Sequence, residues 1–331
     1  MPLLIDPPPT EEPRYEQSAD GTWVIVSSAR LARPLPNRLQ TASESTICPF
    51  CEGNESTTPP EVFALRNGTA ADSPGWRVRV VPNLYPGVTS TVRAIESDSD
   101  HSRAGYGRHE VIIERPDHDA DILDRSAEHF GDVLRVYQER MKSLAEDPRI
   151  KYGVLFKNSG RFAGASQEHV HSQLMGLAVL PEHVKKILSQ ESHVPALLAG
   201  HPAVVASSNH FIAYCPEPSC FPFEVWIAPK DPEPDFRGIQ NAHWVELGRM
   251  MRNLLRSLAR MISPVAYNYF LHTAAFDGKT RPFDRWHLKI TPRMETLAGC
   301  ELGAGIYMNP IRPLWAAEQY RKILPQVADE E

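Results

Sequence analysis

The sequence contains no run of about 18 apolar residues, so no segment is built to cross a membrane as a helix. Its opening, Met1-Pro2-Leu3-Leu4-Ile5-Asp6-Pro7-Pro8-Pro9, lacks the basic stretch and apolar core of a secretory signal. Cysteines are too few and too irregularly spaced for a disulfide framework: there are five, at positions 48, 51, 215, 220 and 300. These absences lead us to expect reduced thiols and a cytoplasmic location. Positive charge is not in excess either, with 35 Lys and Arg against 41 Asp and Glu and a net charge of −6. That argues against a general binder of nucleic acid or membrane surfaces, while leaving room for a local basic wall around phosphates. Thirty prolines interrupt the chain often enough to predict many loops, short strands and few long helices.

What is present suits a soluble α+β protein. At 331 residues and 42% hydrophobic content, the chain can bury the core of one large or two ordinary domains. Residues 1–19 are rich in Pro and Glu and read as an arm, ordered only where it docks and carrying no chemistry. Strands are expected at Thr22–Val26, Trp76–Pro86 (ending in a Pro-bounded turn), His109–Glu114, Tyr152–Phe156 and Leu174–Leu177, because apolar and β-branched residues run or alternate there. A helix is expected around Phe130, Leu134, Tyr137, Met141 and Leu144, spaced three and four apart, and Pro181 to about Leu198 also reads helical. Strands at Phe211–Tyr214 and Phe223–Lys230, a helix from Trp244 to Met261, and strands at Tyr267–His272 and Trp286–Pro292 then repeat the order strand, strand, helix, strand, strand. This predicts two duplicated halves, 20–198 and 199–331, each an antiparallel sheet with a helix packed on it, the second a degenerate copy.

The chemistry concentrates in Lys157 through Gln173. Extended backbone would turn His169, His171 and Gln173 toward one wall. Gly160 and Gly164 allow close approach of backbone N–H groups to an anion, Ser166 adds a hydroxyl and Asn158 an amide. The combination reads as a phosphate cradle facing an imidazole. Cys48-Pro49-Phe50-Cys51 has the spacing of half a zinc site, the other ligands to be histidines or carboxylates from elsewhere; a redox dithiol is the rival, without the βαβ surroundings it needs. His118, in the loop Arg115-Pro116-Asp117-His118-Asp119, is a candidate metal ligand. Arg30 and Arg33 read either as solvated surface charges or as a guanidinium fork for a phosphate.

These residues, with Trp23–Ser27, Val80-Val81-Pro82-Asn83 and His169-Val170-His171-Ser172-Gln173, resemble the galactose-1-phosphate uridylyltransferase family of the histidine-triad superfamily, over nearly the whole chain. The resemblance implies that His171 is the nucleophile, assisted by Gln173 and Ser166. It also implies that Asn158, Gly160, Asn83, Phe50, Arg30 and Arg33 bind substrate. One structural zinc (Zn2+) per chain would be held by Cys48, Cys51, His118 and His169, with His109 as the competing third ligand. The leading expectation is a ping-pong transferase between UDP-glucose and a hexose 1-phosphate, acting through a nucleotidyl-histidine in a homodimer whose Arg30 and Arg33 reach the neighbouring subunit's site. Two departures qualify it. The family's His-Pro-His is His169-Val170-His171 here, and Lys289 and Thr291 stand beside His272 where a second metal would need histidines, so that metal is expected to be absent. The ending Gly303-Ala304-Gly305-Ile306-Tyr307-Met308-Asn309-Pro310 and Tyr267-Asn268-Tyr269 resemble the branch that includes ADP-glucose phosphorylase, which makes an ADP-glucose donor with inorganic phosphate the alternative. A zinc-stabilised nucleotide-binding module without turnover is a further alternative, opposed by the intact His171 and Gln173.

Overall fold

Short β-branched and aromatic runs become strands throughout. The computed structural model describes residues 12–18, 21–32, 47–92, 99, 101–118, 122–190, 194–197, 200–279 and 281–328. Its strands are β1 (Arg14–Gln17), β2 (Trp23–Val26), β3 (Phe63–Arg66), β4 (Trp76–Pro82), β5 (Ser102–Ala104), β6 (Gly107–Ile113), β7 (Tyr152–Ser159) and β8 (His171–Leu177) in the first half. β9 (Val204–Ser207), β10 (Phe211–Tyr214), β11 (Val225–Pro229), β12 (Tyr267–His272) and β13 (His287–Pro292) follow in the second. The helices are α1 (Ala127–Ala145), α2 (Glu182–Leu188), α3 (Val194–Leu197), α4 (Trp244–Met261), α5 (Gly299–Ala304) and α6 (Pro313–Ala328).

Ten strands form one antiparallel sheet in the order β3-β4-β6-β8-β7-β12-β13-β11-β10-β9. Each half gives five strands to this sheet, and from either edge inward their order is the same: the first three in chain order, then the fifth, then the fourth. In chain order the long helix of each half follows that half's third strand of the sheet, α1 between β6 and β7 and α4 between β11 and β12. The halves join where β7 pairs with β12, Phe156 opposite Phe270.

Both long helices pack on one face of this sheet, because both carry an apolar stripe: Phe130, Leu134, Tyr137 and Met141 on α1, and Leu247, Met251, Leu254 and Leu258 on α4. They approach closely only because glycine sits at the crossing. A Cβ on Gly248 would lie 2.4 Å from the Ala127 carbonyl oxygen and 2.6 Å from the Gly131 nitrogen.

Inside this dry face lies a charged pair. Lys157 Nζ contacts Glu114 Oε2, both side chains about 1% exposed. Glu114 Oε1 also accepts from Tyr137 Oη at 2.7 Å and from Tyr269 Oη at 3.1 Å. Burial alone would raise the Glu114 pKa, but the Lys157 charge and these hydrogen bonds outweigh it and hold the carboxyl below its usual range. Lys157 thus serves the core rather than the cradle it opens in the sequence.

Three elements differ from the sequence expectation. Part of the supposed arm is strand β1, which pairs with β2 and β5 because Tyr15 buries its ring and donates from Oη to the Tyr106 carbonyl at 2.9 Å. Among the described residues of 181–198, the helix α2 ends at Leu188 and α3 is a separate short helix at Val194–Leu197, where the sequence reads as one helix. α6 has its buried stripe of Ala316, Ala317 and Tyr320 after a proline at its first position, a start signal the sequence reading passed over.

Replacing Lys157 by Met should leave the Glu114 carboxylate buried without its cation and cost about 3–5 kcal/mol in urea unfolding. The sign with pH follows from the depressed folded-state pKa: the wild-type contribution is present above the ordinary carboxylate range and fades as pH falls through the lower folded value. Stability lost on acidification should therefore be smaller in the variant, and an unchanged midpoint and acid profile would refute the role of the pair.

Candidate functional site

β8 begins at His171 and lies between β6 and β7, with Ile113 opposite His171 and Val111 opposite Gln173. Side chains alternate, so His171 and Gln173 face away from the helices and open into a cavity of about 200 Å³ that Phe50, Asn83 and Ser166 also line. The His171 ring is 7% exposed, and the Phe50 ring stands edge-on with its centroid 5.4 Å away. Nδ1 of His171 lies 2.8 Å from the His169 carbonyl oxygen. A carbonyl only accepts, so Nδ1 carries the hydrogen and Nε2 of the neutral ring keeps its lone pair.

The loop before β8 is built by backbone conformation. Gly160 and Gly164, at φ of 81° and 80°, bracket a turn of 3-10 helix, Arg161–Ala163. Asn268 on β12 donates from Nδ2 to Asn158 Oδ1 at 2.8 Å and to the Ala163 carbonyl at 2.9 Å. Asn158 and Gly160 therefore shape the loop, and of the cradle residues it is Ser166 that reaches the cavity wall. Arg30 donates from Nη1 to the Tyr85 carbonyl at 2.9 Å, which puts it beside this chain's own cavity. Arg33 lies outside the described residues.

Cys48, Cys51, His118 and His169 come together from three distant segments, their ligand atoms all within 4.8 Å of one another. Nδ1 of His169 is 3.6 Å from Cys48 Sγ and 3.7 Å from Cys51 Sγ. A tetrahedral zinc with ordinary bond lengths would separate sulfur and nitrogen ligands by about 3.6 Å, so the group fits such an ion. Nε2–H of His169 donates to the Arg115 carbonyl at 2.8 Å, which turns Nδ1 toward the thiols. Burial, reinforced by His118 and His171, pushes the His169 pKa down to about 4 and keeps the ring a neutral donor. His109, weighed as the alternative third ligand, stands apart from this group. Its Nδ1 accepts from Gly87 N–H at 3.1 Å and its Nε2 lies 3.0 Å from Gln173 Oε1. The alternation of His109 with Val111 along β6 was visible in the sequence, but not that β8 would lie alongside.

In the second half β13 takes the place that β8 takes in the first. His272 and His287 pair there with ring centroids 4.9 Å apart, and both are held neutral, chiefly by burial. Lys289 Nζ bonds Glu224 Oε1 at 2.9 Å, and Thr291 donates to the Asn268 carbonyl at 3.2 Å. No helix among the described residues is long and apolar enough to cross a membrane.

Comparison with known proteins agrees with this geometry. A family model described as the N-terminal domain of galactose-1-phosphate uridyl transferase matches residues 10–181, and a domain of unknown function, DUF4921, matches residues 106–331. ADP-glucose phosphorylase of Arabidopsis thaliana is 32% identical over 91% of this chain and 90% of its own length. Galactose-1-phosphate uridylyltransferase of Thermotoga maritima is 23% identical over 94% of this chain and 98% of its own. The crystal structure of the Arabidopsis thaliana ADP-glucose phosphorylase with bound ADP-glucose superposes with a TM-score of 0.76, covering 94% of this chain and 99% of that one. A uridylyltransferase structure 22% identical shares the fold at a TM-score of 0.78. With its buried imidazole, its Cys and His cluster and these relatives, the chain is a nucleotidyltransferase of the galactose-1-phosphate uridylyltransferase family.

Proposed function

We propose that the protein transfers a nucleotidyl group from a nucleotide sugar to a phosphate through a covalent intermediate on His171. One observation carries this reading: Nδ1–H of His171 is committed to the His169 carbonyl, so the lone pair of the neutral ring lies on Nε2, on a side chain that lines the cavity. Nε2 attacks the α-phosphorus, an N–P bond forms, and the P–O bond to the sugar 1-phosphate breaks with its electron pair left on that oxygen. A phosphate leaving group needs little proton help, so the protein's task is alignment and neutralisation of developing oxygen charge, by Gln173 and Ser166. A phosphate oxygen of the acceptor then attacks, the N–P bond breaks, and its electron pair returns to Nε2.

ADP-glucose as donor and inorganic phosphate as acceptor are supported by 32% identity to a protein named ADP-glucose phosphorylase across nine-tenths of both chains. A UDP-glucose donor with galactose 1-phosphate as acceptor is the second reading, supported by the family model and the Thermotoga maritima relative. This reverses the order reached from sequence. The division at about residue 199 into two units is supported by the shared strand order of the halves. A homodimer belongs to the same proposal and should appear in light scattering as twice the chain mass.

Nucleotide sugar labelled at the α-phosphate should leave acid-labile, base-stable label on the protein, from ADP-glucose in preference to UDP-glucose. His171→Asn should remove the label and at least about a thousandfold of the rate, roughly 4 kcal/mol of transition-state stabilisation. Label persisting on that variant would refute the assignment.

The Cys and His group is proposed as a structural zinc site, since two thiolates with two imidazoles suit that ion and leave no open position. Elemental analysis should find about one zinc per chain, with chelation lowering the melting temperature because metal binding is coupled to folding. His118→Ala should empty the site; full zinc retention in that variant would exclude His118 as a ligand.

A further inference from the structure

We propose that His109 is a positioning residue that fixes which end of the Gln173 carboxamide faces the reacting phosphate. This rests on nucleotidyl transfer at His171 and adds a residue to it. His109 lies on β6, two positions before Val111, the residue paired with Gln173, so His109 and Gln173 are diagonal neighbours on the same face. The His109 side chain is buried, at 6% exposure.

Four hydrogen bonds determine the orientation. Gly87 N–H donates to His109 Nδ1 at 3.1 Å, so Nδ1 is an unprotonated acceptor and the neutral ring carries its hydrogen on Nε2. That Nε2–H donates to Gln173 Oε1 at 3.0 Å. Asn83 is oriented independently: its Oδ1 accepts Tyr85 N–H at 2.9 Å, which leaves Nδ2 as the donor end, 3.4 Å from the same Gln173 oxygen. The remaining 3.2 Å between Asn83 Nδ2 and His109 Nε2 is the side of a triangle whose two donors converge on one acceptor.

With Oε1 held by both donors, the NH2 group is the end of Gln173 left to point into the cavity that His171 lines. This orientation matters because the two ends of a carboxamide are nearly the same size and its terminal torsion is two-fold. Rotated, Gln173 would present a carbonyl oxygen to an anion at the position where negative charge develops. Backbone geometry at Gly87, a glycine between β4 and β6, thereby selects the tautomer of His109, and the tautomer selects the catalytic face of Gln173.

The orientation and the activity can be read separately. In full-length protein labelled with nitrogen-15 in histidine, long-range proton–nitrogen spectra at pH 7 should show His109 as the neutral Nε2–H tautomer, its signals identified by their loss in His109→Gln. An Nδ1–H ring or an imidazolium would overturn the proposal, whether or not the protein turns over. Absence of a labelled intermediate in the wild type would instead refute the function proposed above, with the tautomer still measurable.

Kinetics of nucleotidyl-enzyme formation supply the second arm. His109→Leu and His109→Glu should lose about a hundredfold in kcat with little change in KM, the scale of one lost transition-state donor. His109→Gln, whose amide nitrogen can occupy the place of Nε2, should restore most of that loss. In a Gln173→Ala background, His109→Leu should cost less than about twofold, because contacts acting through one group are not additive. A full hundredfold loss there, or loss of zinc from His109→Gln, would overturn the positioning role.

Discussion

The antiparallel register of β6 against β8 is the constraint on which the site depends. It sets Val111 opposite Gln173 and Ile113 opposite His171, and so brings His109 within reach of Gln173. A slip of one residue would turn His171 and Gln173 toward the helices and present Ser172 to the cavity. The register is held from the dry side. Lys157 is the cross-strand partner of Ser172, Glu114 N–H donates to the Val170 carbonyl at 3.3 Å, and the Glu114 and Lys157 side chains meet beneath them with Tyr137 and Tyr269. Buried charges tolerate displacement poorly, because each is stable only in contact with its partners.

The two faces of the same strands carry separate tasks. Toward α1 and α4 the sheet is largely apolar, its buried charges being that knot and the Glu110–Arg140 ion pair, while away from them it offers imidazoles, amides and a hydroxyl. The Cys and His group binds the second face to its surroundings. It draws the turn at 48–51, the loop at 118 and His169, two residues before β8, together, and Glu52 N–H adds a bond to the Pro116 carbonyl at 3.0 Å. Phe50, between the two cysteines, consequently stands against both His169 and His171. The turn that carries Cys48 and Cys51 and the wall of the cavity are thus one short segment.

The second half keeps the topology and changes the chemistry. β13 follows the course of β8, yet His287 stacks on Trp226 with ring centroids 4.3 Å apart and Lys289 is tied to Glu224. Equal strand order therefore does not bring equal side chains to corresponding positions, and it is the side chains that decide what a site can do.

The sequence by itself determined the elements and the reactive groups. Period-two and helical spacing located β4, β6, α1 and α4, and the residue types around His171 pointed to phosphate chemistry before any contact was known. Such signals are local: a strand alternates and a Cys-x2-Cys turn converges within a few residues. Only the tertiary structure decided the rest. It placed Lys157 in the core rather than in the cradle, tied Asn158 to Asn268, set Arg30 on the Tyr85 carbonyl, and made His109 the neighbour of Gln173 instead of a metal ligand. Each of those outcomes depends on which strand lies alongside which, and in what register, between residues as many as 155 positions apart, as Glu114 and Tyr269 are. Pairing at that range is selected by burial of the whole sheet face at once, a collective condition that no single stretch of sequence expresses.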